Sequence, residues 1–108
     1  MRIHLYLAAV ALAAALSAPA ADADDAGKAA YERLCASCHG ADGKGNSAMA
    51  EAFGGANLEI ANQQVAGKKD EELKKIIADG KGRMPAAGKS LSPADQQAVV
   101  AYMRSLAQ

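Results

Sequence analysis

The residues best able to do chemistry lie together in one short segment, LCASCHG at residues 34–40. Two residues separate Cys35 from Cys38, and His39 follows directly. A porphyrin fixes the distance between its two vinyl groups and its iron, so this spacing lets each cysteine form a thioether while the histidine is held under the iron. The segment therefore predicts one covalently attached haem c, with His39 as the proximal iron ligand.

Three other kinds of site use the same residue types. A pair of cysteines two residues apart can be a thiol redox site, especially beside a βαβ pattern, which is not evident here. A structural zinc ion needs four ligands, whereas the chain after its first 20 residues offers two cysteines and one histidine. A structural disulfide with a histidine beside it is the remaining alternative. The position of the histidine favours haem attachment over all three.

A methionine is expected to supply the second iron ligand. Met84 lies in residues 80–88, where three glycines and a proline exclude a regular helix. A methionine in such a loop belongs to no apolar stripe, so its thioether could bind iron opposite His39. Met49 is the rival ligand, although it falls on a predicted helix close in sequence to His39, and Met103 belongs to a helical stripe of the core. An open sixth position is a further alternative.

The chain begins with a pattern typical of a secretory signal peptide. Met1-Arg2 is a short positive start, Ile3 to Leu16 is almost entirely apolar, and Ala18-Pro19-Ala20 resembles a cleavage site. The apolar run of about 14 residues is shorter than the roughly 20 that a membrane-spanning helix needs, which disfavours an uncleaved anchor. We expect residues 1–20 to be the signal peptide, with export to the periplasm and no stable membrane insertion.

Residues 21–108 are enough for one small domain. Their aromatic residues are Tyr31, Phe53 and Tyr102, which is little large apolar mass for an independent core. A buried macrocycle would supply that mass, in agreement with a bound haem. The whole chain has 12 basic and 12 acidic residues, and this balance argues against a nucleic-acid-binding protein.

The remaining pattern predicts helices and no convincing strand. We expect a first helix from about Asp25 to Cys35, a short one that Ser47 caps, a third over Asp70–Asp79 with Asp70 as its N-cap, and a last one that Ser92 caps and Pro93 begins. Residues 56–64 are ambiguous between a loop and a short helix. The last helix carries an apolar stripe, formed by Val99, Tyr102, Met103 and Leu106.

Two contacts are also expected. Gly27 would let the first and last helices cross closely, with Tyr31 packed near Tyr102. The glycine-rich loop at residues 40–46 would wrap against the haem edge, and one of its carbonyl groups would orient the ring of His39.

Taken together, these residues resemble a small monohaem class I cytochrome c. The resemblance is carried by residues 34–40, called the attachment segment below, by Gly82-Arg83-Met84-Pro85 and by the terminal helices with Tyr31 and Tyr102. It implies an all-α fold of three to five helices around a covalently bound haem, with the N- and C-terminal helices crossing. It also implies that His39 and Met84 are the axial ligands of the iron. Two departures are the lack of a proline soon after His39 and of any tryptophan.

The resemblance implies a monomeric periplasmic electron carrier that is not itself an enzyme. Its partners would be larger redox proteins, such as a membrane oxidase, reductase or dehydrogenase. Residues 68–89 hold seven basic and four acidic residues, which could steer an acidic partner or simply form a solvated face. The alternative is a haem enzyme subunit or gas-binding sensor with an open or labile sixth position.

Overall fold

The computed structural model of the chain describes residues 23–108, so the predicted leader lies outside the described residues. Six helices follow one another in this part of the chain, whereas three to five were expected, and two of the six are single turns of four residues. They are α1 (Ala23–Leu34), α2 (Ala36–His39), α3 (Ser47–Ala52), α4 (Gln63–Ala66), α5 (Asp70–Asp79) and α6 (Pro93–Leu106). Within residues 23–108 the extended pairing is limited to one isolated bridge, and the expected all-α fold is confirmed.

The terminal helices α1 and α6 cross closely at Gly27. A methyl group placed on Gly27 would overlap the carbonyl group of Ala98, with the carbonyl carbon 2.8 Å away. The ring centroids of Tyr31 and Tyr102 lie 5.2 Å apart at an interplanar angle of 55°, a tilted arrangement that aromatic pairs favour. The predicted crossing and the predicted tyrosine contact are therefore confirmed.

The core lies between α1, α5 and α6. Tyr31, Val99 and Val100 have almost no exposed surface, and Leu73 and Ile77 of α5 are also buried. Burying a side chain of this size contributes about 1.5–3 kcal/mol relative to leaving it exposed. The apolar stripes therefore hold α5 and α6 against the helix that leads into the attachment segment.

Two helix starts differ from the prediction. The side chain of Asn46, not of Ser47, caps α3 by accepting hydrogen bonds from the backbone N–H groups of the next helical residues. Asp70 is the first residue of α5 and not its N-cap, which is Lys69. At α6 the predicted cap is present, since Ser92 Oγ accepts a hydrogen bond of 3.1 Å from the N–H of Asp95.

Asp70 has a different partner, because Arg104 of α6 reaches it. Arg104 donates through Nε and Nη2 to Asp70 Oδ1, at 3.2 and 2.6 Å. The same guanidinium donates to the backbone carbonyl groups of Ala66 and Lys68. These bonds hold the segment between α4 and α5 against α6.

No helix among the described residues is long and apolar enough to cross a membrane.

Candidate functional site

An apolar cleft lies beside the attachment segment. It is partly open to solvent and its surface is predominantly apolar, as the surfaces of small-molecule sites usually are. Its walls come from the end of α1, from α2, from the chain after α3 and from the loop between α5 and α6. The lining residues are Leu34, Cys35, Cys38, His39, Phe53, Ala56, Leu58, Arg83, Met84, Pro85 and Ala87.

The one-turn helix α2 places the attachment residues on one side. Cys35 is its N-cap, and the Cys35 carbonyl accepts hydrogen bonds from the N–H groups of Cys38 at 3.2 Å and His39 at 2.9 Å. Residues three and four positions apart share a face of a helix. All three residues accordingly line the same cleft.

The two cysteines are free thiols in the structure, and both are half-buried. Burial raises the pKa of the Cys35 thiol, and the neighbouring Cys38 raises it further. A reactive redox cysteine needs a lowered pKa, because the thiolate is the nucleophile. The surroundings of Cys35 therefore do not favour a thiol redox site. Residues 23–108 also contain no cluster of three or more His, Cys, Asp or Glu side chains able to hold a metal ion.

The ring of His39 is held by a backbone carbonyl group. Its Nδ1 lies 2.7 Å from the oxygen of Leu58, so Nδ1 carries the hydrogen and donates it. This fixes the ring and leaves the lone pair on Nε2, the tautomer that a metal-ligating histidine needs. The expectation that a carbonyl of residues 40–46 would do this was wrong, since Leu58 lies 12 residues beyond that loop.

The glycine-rich loop nevertheless positions Leu58. The carbonyl of Gly43 accepts hydrogen bonds from the N–H groups of Ile60 at 2.8 Å and Ala61 at 2.9 Å. The loop is closed at its base, where the N–H of Gly45 donates to His39 O at 2.7 Å. The loop therefore connects α2, through His39, with the segment around Leu58 that orients the His39 ring.

Tyr31 makes a second contact behind the attachment segment. Its hydroxyl donates a hydrogen bond of 2.6 Å to the carbonyl of Gly40, the residue after His39. Burial of the Tyr31 ring, together with the nearby Cys35, raises the pKa of the hydroxyl far above its usual value, so it remains a donor. Sequence reasoning placed this tyrosine in the helix crossing and missed its hydroxyl, although an aromatic residue one turn before Cys35 was the available signal.

Met84 is held in a tight turn at the edge of the cleft. The N–H of Lys81 donates to Met84 O at 3.1 Å, and the N–H of Met84 donates to Lys81 O at 2.9 Å. Gly80 has a φ of 78°, and a Cβ there would lie 2.5 Å from the carbonyl oxygen of Met84, so only glycine allows this turn. Met49 is absent from the residues lining the cleft, and Met103 is buried in the core.

These residues fit a haem group. The cleft is largely apolar, His39 has one ring nitrogen with no hydrogen-bond partner among the described residues, and Met84 brings a thioether to the same space. Soft sulfur and neutral imidazole are ligands that suit haem iron. The unpaired thiols of Cys35 and Cys38 stand at the same cleft.

Comparison with known proteins decides the family. The model of the family described as "Cytochrome C oxidase, cbb3-type, subunit III" matches residues 22–103. The chain belongs to that family. It is also 31% identical over 86 residues to the cbb3-type cytochrome c oxidase subunit CcoP of Azospirillum brasilense. The matched part is 80% of this chain and 29% of that relative, so the chain spans less than a third of the protein it resembles.

Membership of this cytochrome c family establishes the cofactor. The chain is a monohaem c-type cytochrome, and its cofactor is covalently bound haem c with its iron. The cytochrome resemblance drawn from the sequence is thereby confirmed, as is the role of the domain in electron transport.

Proposed function

We propose that this protein is a periplasmic one-electron carrier whose haem is attached through Cys35 and Cys38 and ligated by His39 and Met84. It would shuttle electrons between larger redox proteins and act as a monomer. The observation that carries the proposal is that these four residues, which come from two distant parts of the sequence, line one apolar cleft. Export is supported by the signal-peptide pattern of residues 1–20.

Haem c supplies reversible one-electron chemistry at its iron when bound, and the protein's contribution is to keep the ligands in place. His39 is fixed through its bond to Leu58 O, and Met84 is fixed by the paired hydrogen bonds with Lys81. Both ligands are therefore organised by the backbone and need little movement when the charge changes. The pairing of His with Met also favours a higher potential.

The relative's name describes an oxidase subunit, and an oxidase is an enzyme complex. We propose that the present domain delivers electrons to such a membrane complex and does not itself turn over a substrate. An enzyme or gas sensor would need an open iron position and a polar group to receive the bound molecule. Besides His39 and the two cysteines, Arg83 is the one residue lining the cleft that has a charged or titratable side chain. Its Nη1 already donates a hydrogen bond to Phe53 O.

The basic segment Lys68–Lys89 is the proposed docking region for an acidic partner. Two of its lysines are paired within the segment, Lys68 with Glu72 at 3.3 Å and Lys74 with Glu71 at 3.5 Å. Four other lysines of the segment are exposed and form no ion pair with the described residues; they are Lys69, Lys75, Lys81 and Lys89. Free exposed charges raise association rates with a partner of opposite charge, and salt screens this effect.

The test is the near-infrared spectrum of the oxidised, haem-loaded protein. Wild type is expected to show a methionine-to-ferric charge-transfer band, because Met84 would be a ligand. Met84→Ala should lose the band, whereas the matched variant Met49→Ala should keep it. A band that survives in Met84→Ala and disappears in Met49→Ala would reverse the assignment, and a wild type with no band would refute methionine ligation.

A further inference from the structure

Arg83 joins two walls of the cleft. Its Nη1 donates a hydrogen bond of 3.0 Å to the backbone carbonyl of Phe53, which lies 30 residues earlier in the chain. Both residues line the cleft, and so does Met84, the next residue after Arg83. The bond therefore spans from the loop that carries the proposed iron ligand to the chain at the end of α3.

The Phe53 carbonyl is available because α3 ends there. Phe53 is the C-cap of α3, and Gly54 and Gly55 follow it with φ values of 72° and 82°. This sharp change of direction ends the helix, whose last carbonyl groups have no intrahelical partner. A guanidinium at a helix C-terminus is favoured by the partial negative charge there. A hydrogen bond from a charged donor is also stronger than a neutral one.

The contact constrains Met84 because the turn is stiff. Lys81 and Met84 are joined by two backbone hydrogen bonds, which hold the two ends of the turn together. The far side of the loop is held separately, since the N–H of Gly88 donates to Ile77 O at 2.6 Å. Among the hydrogen bonds of residues 81–84, the Arg83 bond is the one that links this turn to α3.

We propose that Arg83 is a positioning residue that holds the Met84 turn closed against the cleft and so limits dissociation of Met84 from the iron. The inference rests on the proposed ligation by Met84. It assigns a separate role to the residue beside the ligand: Arg83 acts through the Phe53 carbonyl and does not bind the iron. Loss of the bond would allow the turn to open more often without unfolding the core between α1, α5 and α6.

The test measures how readily imidazole displaces Met84 in the oxidised, haem-loaded protein. Arg83→Leu removes the guanidinium and keeps an apolar side chain. Lys81→Leu is the matched control, because it removes the same charge from the same turn and the Lys81 side chain makes no hydrogen bond or ion pair with the described residues. Arg83→Leu is expected to bind imidazole about three- to tenfold more tightly than Lys81→Leu, the factor expected for one exposed charge-assisted hydrogen bond.

Two further measurements distinguish the outcomes: unfolding in guanidinium chloride and the methionine charge-transfer band of wild type. Unfolding of both variants in guanidinium chloride reports the stability of the whole domain. Equal imidazole affinities in the two variants would overturn the inference. If Arg83→Leu then also had the lower unfolding midpoint, Arg83 would contribute to the stability of the domain and not to the position of Met84. A wild type without the methionine charge-transfer band would refute the proposed ligation itself, whereas a wild type with the band and equal variants would refute the role of Arg83 alone.

Discussion

Replacing Gly27 by alanine tests the helix crossing that supports the haem site. Gly27 lies on α1 where α6 passes closest, and an added Cβ would overlap the carbonyl of Ala98 and lie 3.3 Å from Tyr102 Cβ. A backbone carbonyl cannot rotate away as a flexible side chain can. The two helices would therefore have to separate, which would loosen the Tyr31–Tyr102 contact next to the attachment segment.

Two effects of opposite sign set the size of the change. Alanine is a better helix former than glycine by about 1 kcal/mol, which alone would stabilise the variant. Forcing an extra carbon into a packed contact costs about 1–3 kcal/mol, and the upper end applies because the obstacle is backbone. The net expectation is a loss of about 2 kcal/mol. For a domain of this size that corresponds to a fall of about 8–16 °C in Tm.

The assay is thermal unfolding of the haem-loaded protein, followed by circular dichroism. The control is Ala29→Gly, at an exposed position of the same helix, which changes helix propensity alone and should cost about 1 kcal/mol. A Gly27→Ala variant that unfolds at or above the temperature of wild type would refute the close crossing. In that case helix propensity would dominate and the packing argument would be wrong.

Two other predictions concern contacts around the site. Tyr31→Phe keeps the ring and removes the hydroxyl hydrogen bond to the Gly40 carbonyl, so the free energy of unfolding should fall by about 1–2 kcal/mol in a denaturant titration. The control is Tyr102→Phe, which should change this free energy little because the Tyr102 hydroxyl makes no hydrogen bond in the described chain. Equal effects of the two substitutions would contradict the role of the Tyr31 hydroxyl. Hydrogen bonds from Arg104 hold the pKa of Asp70 below its usual value, so Asp70→Asn should be less stable than wild type near pH 7. This difference in stability should shrink as the pH falls below the ordinary Asp pKa of 3.8. It should continue to shrink as the pH falls through the lower pKa of the folded state. Unfolding at several pH values checks this, and a constant difference would refute it.

The elements that are set by local chemistry could be predicted from the sequence. Ser92, Pro93 and the apolar stripe of α6 act within one helix, and they identified its start and its buried face. The crossing at Gly27 could be predicted because a glycine and an aromatic residue shared one side of α1. Four of the residues that line the cleft, Cys35, Cys38, His39 and Met84, were also named from the sequence. Three of them were named because the spacing of a haem attachment site follows from porphyrin geometry.

The contacts that depend on the path of the chain could not be predicted in this way. The carbonyl of Leu58 reaches His39 because the loop at residues 40–46 brackets a later segment, and every residue type has such a carbonyl. Asp70 was expected to cap α5, but Arg104 arrives from α6, 34 residues away, and engages its carboxylate instead. At α3, Asn46 and Ser47 are both good caps, and the backbone conformation decides between them.

The most direct test of the carrier account is the response of the reduced protein to carbon monoxide. If Met84 occupies the sixth position, the visible spectrum of reduced wild type should be unchanged by carbon monoxide, and Met84→Ala should bind the gas and change its spectrum. Wild type that binds carbon monoxide as readily as Met84→Ala would contradict the account. That result would mean that the iron has an open position and would favour an enzyme subunit or a gas sensor over an electron carrier.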